Sequence, residues 1–276
     1  KKRQGVRKMK LNERAEITPG KKDIFTDLVI AAHQDDIEIM CPQGIIRGYK
    51  SDAFGLVAVV TADGAGSPRA GKFANVTDKE MKEIRKEEQK KAAELGDYAM
   101  LFQLGYNSAQ IKDVENKNPV DDYEIILKEY LPSVVYTHNL ADKHPTHVAV
   151  ALKCIEAIRR LPMDDRPIKL YGCEVWRGLD WFTDEEKVVF DLTGYDELLA
   201  KLIDVYESQI AGGKEYAKAA LGRRAANATY AASHGVDQYQ SVAYAMDLTE
   251  LIKNDTLDPK EFIVSKIKKF IDELCF

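Results

Sequence analysis

The sequence predicts an α/β fold: a Rossmann-like, mostly parallel sheet with helices on both faces, followed by a more irregular C-terminal part. Two observations carry that reading. Apolar runs of strand length alternate with helical patterns, the signature of a parallel sheet flanked by helices. A chain of 276 residues can bury a sizeable core, and 45% hydrophobic with 31% charged residues is ordinary for a soluble globular protein.

Residues 1–20 read as a basic N-terminal extension containing Lys1, Lys2, Arg3, Arg7, Lys8 and Lys10. A solvated or appended tail accounts for them more simply than a polyanion-binding arm. The chain opens on lysine, which leaves room for an upstream segment removed before this point. Residues 21–276 are expected to form a single domain, with the part from about residue 180 as a small annex. Within it, residues 27–32 read as a buried first strand, 44–50 as a short helix and 54–61 as a second strand. Residues 78–95 form an amphipathic helix, dense in charge with Met81, Ile84, Ala92 and Leu95 interleaved, closed by Gly96. Strands follow at 99–102 and 134–137, and a helix over 145–161 comes directly after the latter. Later strands are expected at 169–175 and 187–192, with helical pattern from Tyr195 onward.

Net charge of −5 argues against a general nucleic-acid binder. No apolar run approaches the roughly 18 residues that a membrane span requires. Cys41, Cys154, Cys173 and Cys275 are far apart and form no Cys-x-x-Cys pair, as expected for buried thiols in a reducing, cytoplasmic compartment.

Chemistry concentrates at two strand ends. His33-Gln34-Asp35-Asp36 follows the first strand, and the segment from Thr137 to His147 follows the fourth; together they hold four of the five histidines. Ligands of open parallel sheets bind beyond the carboxyl ends of the strands. Imidazole nitrogen and carboxylate oxygen are the donors of catalytic zinc sites, in which three protein groups leave a position for water. His33 and Asp36, three apart at the start of a helical turn, can face one ion, and His147 can supply a third ligand. Asp35 cannot point in the same direction as Asp36, so it is free to act on the water. Helix capping would explain Asp35 or Asp36 alone, and Pro145 suits a first turn, but capping does not explain histidine at both strand ends. The same donor set also suits Fe(II) or another divalent metal.

These residues resemble the LmbE-like, or PIG-L, de-N-acetylases, zinc enzymes acting on N-acetylglucosaminyl conjugates. The family signatures Ala-His-Pro-Asp-Asp-Glu and His-Pro-Asp-His stand here as Ala32-His33-Gln34-Asp35-Asp36-Ile37 and His144-Pro145-Thr146-His147. Thr61-Ala62-Asp63-Gly64, the Arg85-Lys86-Glu87-Glu88 helix and Leu95-Gly96 extend the resemblance over roughly residues 25 to 160. It implies a zinc-dependent hydrolase cleaving the N-acetyl group of a small amino-sugar conjugate. His33, Asp36 and His147 match the zinc ligands, Asp35 the general base, and His144, in protonated form, the partner of the oxyanion. Arg85 matches an arginine that contacts substrate, and Asn107 a position that touches the sugar. Gln34 replaces the motif's proline, Ile37 its glutamate, and Thr146 the aspartate between the paired histidines; Asp142 is placed to compensate for the last as a partner behind a ligand.

His234 could reach over the site as a substrate contact or stand in an exposed loop. His138 is expected in a supporting role. Residues 64–72, rich in glycine and carrying two cations, could cover substrate or be a surface loop; they do not match a dinucleotide-binding glycine pattern. Residues 195–209 and 230–244 offer aromatic walls for a sugar or for a contact in a homo-oligomer, though core packing explains such spacing more simply. Other functions remain open from these residues: an amidase on a larger acyl group or a thiol conjugate, or a non-catalytic binding protein that retains the metal.

Overall fold

The computed structural model describes residues 9–232 and 234–274. Among them eight strands form one sheet: β1 (Glu16–Pro19), β2 (Asp27–Ala31), β3 (Leu56–Ala62), β4 (Met100–Tyr106), β5 (Val134–His138), β6 (Lys169–Cys173), β7 (Lys187–Asp191) and β8 (Val242–Asp247). Their spatial order is β1-β4-β3-β2-β5-β6-β8-β7. The five central strands β4, β3, β2, β5 and β6 are parallel, whereas β1 joins β4, and β8 joins both β6 and β7, antiparallel.

The helices are α1 (Asp36–Met40), α2 (Pro42–Gly48), α3 (Asp78–Leu95), α4 (Ser108–Lys112), α5 (Asn118–Tyr130), α6 (Pro145–Arg159), α7 (Asp196–Asp204), α8 (Glu207–Ile210), α9 (Tyr216–Tyr230), α10 (Thr249–Lys253) and α11 (Pro259–Asp272). β2 is buried along its whole length because both faces are covered. Leu28, Ile30 and Ala32 pack into one core, with Ile155 and Ile158 of α6. Val29 and Ala31 pack into the other, with Ile37 and Ile45.

The chain winds from β2 outward to β3 and β4, then returns to place β5 on the other side of β2. The carboxyl ends of β2 and β5 therefore flank a topological switch point, where the connections diverge and leave a crevice. The connection after β2 enters α1 and that after β5 enters α6, so both helix starts open into this crevice.

Several boundaries differ from expectation. The helix expected at 44–50 is α2, which begins earlier at Pro42, and a further short helix, α1, precedes it, the two divided at Cys41. Helix α3 has the anticipated span, set by a capping box between Thr77 and Glu80. Gly96 follows it, but the left-handed turn falls on Asp97 (φ 56°). Gly96 is instead needed for space, since a Cβ there would meet the Tyr98 ring at 2.6 Å. Residues from 180 onward contribute β7 and β8 to the same sheet, and β8 takes up the end of the tyrosine-rich stretch. No helix of the described residues is long and apolar enough to cross a membrane. Cys41, Cys154 and Cys173 are buried free thiols; Cys275 lies outside the described residues.

Candidate active site

The turn after β2 carries the first donors. The His33 backbone N–H donates to Asp36 Oδ2 at 2.7 Å, folding the carboxylate back toward the strand end. The same oxygen lies 3.2 Å from His33 Nδ1 and 3.3 Å from His147 Nε2, and these two nitrogens are 3.2 Å apart. Four ligands about 2.0–2.1 Å from a tetrahedral zinc ion have mutual separations of about 3.3–3.4 Å. The three donors therefore fit such an ion by type and by spacing, and they form a candidate metal site.

The electrostatics agree. Burial would raise the Asp36 carboxyl and lower the His147 imidazole, yet each shifts the other way. The His147 and His33 rings hold Asp36 well below the usual range. Asp36 and Asp142 push His147 up to about 10. Without an ion, Asp36 and Asp142 keep the His147 ring protonated beside the place where a cation would sit.

Asp142 stands behind His147. Its Oδ2 is 3.3 Å from His147 Nδ1, and its Oδ1 accepts the His144 backbone N–H at 2.9 Å. A carboxylate behind a ligand imidazole fixes the ring and raises its basicity. The loop before α6 thus supplies an acid on the far side of His147, where Thr146 itself has no carboxylate to offer. His138, fully buried, stacks on His147 with centroids 4.0 Å apart. Its Nε2 accepts the Ala32 N–H at 2.8 Å, and burial keeps it neutral. It ties the end of β5 to the end of β2 across the crevice.

Asp35 occupies the N-cap position of α1 in a left-handed conformation (φ 83°), but its side chain makes no capping bond. Its Oδ2 instead accepts from Arg85 Nη2 at 3.1 Å. Burial pushes its carboxyl up to about 6, with Asp36 adding to the rise and Arg85 opposing it. Two adjacent carboxylates are thus driven apart, a pattern that separates a proton-transfer group from a ligand.

His144 stands at the N-cap of α6, where its Nδ1 accepts the Thr146 N–H at 3.3 Å, so the ring proton belongs on Nε2. Burial and the neighbouring His147 and His33 lower its pKa. The imidazolium expected from the sequence is replaced by a neutral ring with an N–H donor.

These groups share a cavity of about 340 Å³ lined by His33, Asp35, Asp36, Arg85, His144 and His147, among others. Gly64, Gly66, Ser67 and Pro68 of the glycine-rich segment form one wall. Gly64 has φ 75°, and a Cβ there would come within 3.0 Å of Arg85, so this wall lies close against α3. Arg85, only 2% exposed, is committed within the protein: beyond Asp35 it donates to the Gln34 carbonyl and, at 3.3 Å, to Glu88. Its place is under the base candidate, although it also lines the cavity. Asn107 caps α4, accepting from Gln110 N at 2.8 Å, and its neighbour Ser108 lines the cavity in its place. His234 is exposed in a turn after α9 and is not among the residues lining the cavity, which is the exposed-loop alternative and not the substrate contact.

Trp176, Gln209 and Tyr216 complete the walls from the C-terminal part. Of these only Gln209 falls in the stretches read as aromatic walls, and Tyr206 is core, donating to Glu38 at 2.7 Å. No local motif marks Trp176 or Tyr216.

No curated protein matches the chain by sequence. Among solved structures it is similar to the conserved protein TT1542 from Thermus thermophilus (17% identity, 82% of this chain and 95% of that one, TM-score 0.63). It is likewise similar to the N,N'-diacetylchitobiose deacetylase from Pyrococcus horikoshii (19%, 83% and 85%, 0.61). A third is GalB, the 4-carboxy-2-hydroxymuconate hydratase from Pseudomonas putida (17%, 82% and 96%, 0.57). Likeness at such identities shows the fold, which carries more than one chemistry. The family model described as PIG-L: GlcNAc-PI de-N-acetylase matches residues 28–158, the segment holding both strand-end clusters and Arg85. Residues 28–158 therefore belong to the PIG-L, or LmbE-like, de-N-acetylase family.

Proposed function

We propose that the protein is a metal-dependent amidase that removes the acetyl group from a small N-acetylglucosamine-type conjugate, with residues 21–276 acting as one domain. One observation carries the reading: two imidazole nitrogens and a carboxylate oxygen converge beside a second carboxylate raised to about 6, in one cavity. The family of residues 28–158 supports the reaction class. The similar fold of a diacetylchitobiose deacetylase supports an amino-sugar substrate.

His33, Asp36 and His147 are the residues that would hold the ion; zinc suits them, and Fe(II) is the alternative. Such an ion supplies acidification of water and polarisation of the acyl carbonyl. Arg85 holds Asp35 Oδ2, and the Asp35 carboxylate takes the proton of the attacking water as its oxygen bonds to the acetamide carbon. His144 Nε2–H donates to the carbonyl oxygen as negative charge develops there, a contribution of about 3 kcal/mol for one well-placed donor. Asp35 then delivers the proton to the amine nitrogen as the C–N bond breaks, releasing acetate and a free amine.

Metal analysis of the full chain, with acetate release measured from N-acetylglucosamine and simple conjugates, tests the reading. The expectation is about one ion per chain and release that chelation abolishes. An ion bound without hydrolysis of any acylated amine would sink it in favour of a binding protein.

A further inference from the structure

A second cavity, of about 40 Å³, lies against the active site, with Ile39 lining both. Its charged lining is Arg177, Arg223, Arg224 and Glu174. Among the described residues none of the three arginines forms an ion pair at contact distance. Arg224 is 3% exposed; its Nη2 donates to the carbonyls of Glu38 and Ile39 at 2.8 and 3.2 Å, while Nη1 has no acceptor. Arg223 and Arg177 each donate a single bond, to the carbonyls of Val175 (2.7 Å) and Ala141 (2.6 Å). Glu174 does not balance them. Its carboxylate is taken up by the Leu179 N–H (2.8 Å) and Trp181 Nε1–H (3.0 Å), and burial pushes it up to about 7.

A buried guanidinium with an unsatisfied edge is costly unless an acceptor joins it. The fork of N–H groups on arginine matches the paired oxygens of carboxylate and phosphate. The volume suits the group as well: at about 10–15 Å³ per water, it takes roughly three, comparable to one small oxyanion. We propose that this cavity is a binding site for an oxyanion, a phosphate or carboxylate group, held by Arg224 and Arg223 with Arg177 at its mouth. Its partners touch the catalytic architecture at two points. Arg224 holds the end of α1, which begins with Asp36, and Arg223 holds Val175, which lines the active-site cavity. An oxyanion there braces both, whether it arrives free or as part of a substrate.

The test is titration of inorganic phosphate and, in parallel, formate into the metal-loaded full chain, followed by thermal shift and calorimetry. H33A, R223Q and R224Q are run beside it. One of the anions is expected to raise the melting temperature equally in the wild type and H33A, and to bind about tenfold or more weakly in R223Q and R224Q. Arg223 is only half-buried, so R223Q decides the matter if R224Q does not fold. The proposal is overturned if neither anion binds, if binding disappears in H33A, or if affinity is unchanged in whichever arginine variants fold. A kinetic arm, which alone rests on the amidase reading, separates the two sources. If R223Q raises KM for N-acetylglucosamine 6-phosphate but not for N-acetylglucosamine, the substrate carries the anion; if both KM values stay unchanged while phosphate affinity falls, the anion is free.

Discussion

The reactive groups of the cavity stand on the ends of β2 and β5, while Trp176, Gln209 and Tyr216 reach it from loops and helices of the C-terminal part. The first set is held from several directions at once. His138 bonds across to Ala32, Asp142 backs His147, and Arg85 fixes Asp35. The second set is uneven: Gln209 is buried and donates to Ser208 at 3.0 Å, whereas Trp176 is 39% exposed and meets Lys143 through a ring contact. Parallel strand ends give a rigid place for chemistry, and appended walls can vary without disturbing it.

Substitutions test that division, the largest effects falling on the strand ends. D35N should keep its metal and lower kcat by about 10²–10⁴; acetate-release kinetics with metal analysis check this, and near-normal turnover would mean that Asp35 is not the base. The pH profile sharpens it. The base must be ionised, so with a folded pKa near 6 the rate should fall as pH drops through about 6. A bound cation favours the carboxylate and shifts this limb lower, never higher.

D142N should weaken metal affinity by about 10–100-fold, the usual range for a partner behind a ligand; competition with a chelator reads it. A change within twofold would return the question to Thr146. On the wall, W176A should raise KM by about 10-fold or less and leave kcat nearly intact, since it removes binding without touching the proton path. A large fall in kcat there would erase the distinction between floor and wall. Smallest of all, N107A should leave KM unchanged and cost about 1 kcal/mol of stability, because both halves of its capping box serve α4. Thermal unfolding measures the cost, and a raised KM would restore Asn107 to the substrate.

The legible parts of the sequence were those governed locally. β2, β3 and β5 are continuous apolar runs, and α3 has both a charged amphipathic pattern and a capping box at its start. The convergence of His33, Asp36 and His147 followed from strand ends and spacing. What local pattern could not reveal depends on tertiary contact. β1 is four residues long, alternates between half-buried and exposed, and exists as a strand only by pairing with β4. β8 became a strand between β6 and β7 in a region whose tyrosines drew the eye to walls. The commitment of Arg85 to Asp35 spans fifty residues, and Tyr216 meets the cavity from a helix with no motif. The neutral state of His144 required knowing that its Nδ1 turns back on its own helix.

The raised basicity of His147 has a consequence for how the site is filled. A ring that holds its proton up to about 10 must release it before its nitrogen can accept an ion. Loading at neutral pH would therefore be an exchange, one cation in and a proton out, with a heat of binding that depends on the buffer receiving that proton. Acidity competes directly for the same seat. An ion held there would thus be given up as the surroundings acidify, through mass action alone.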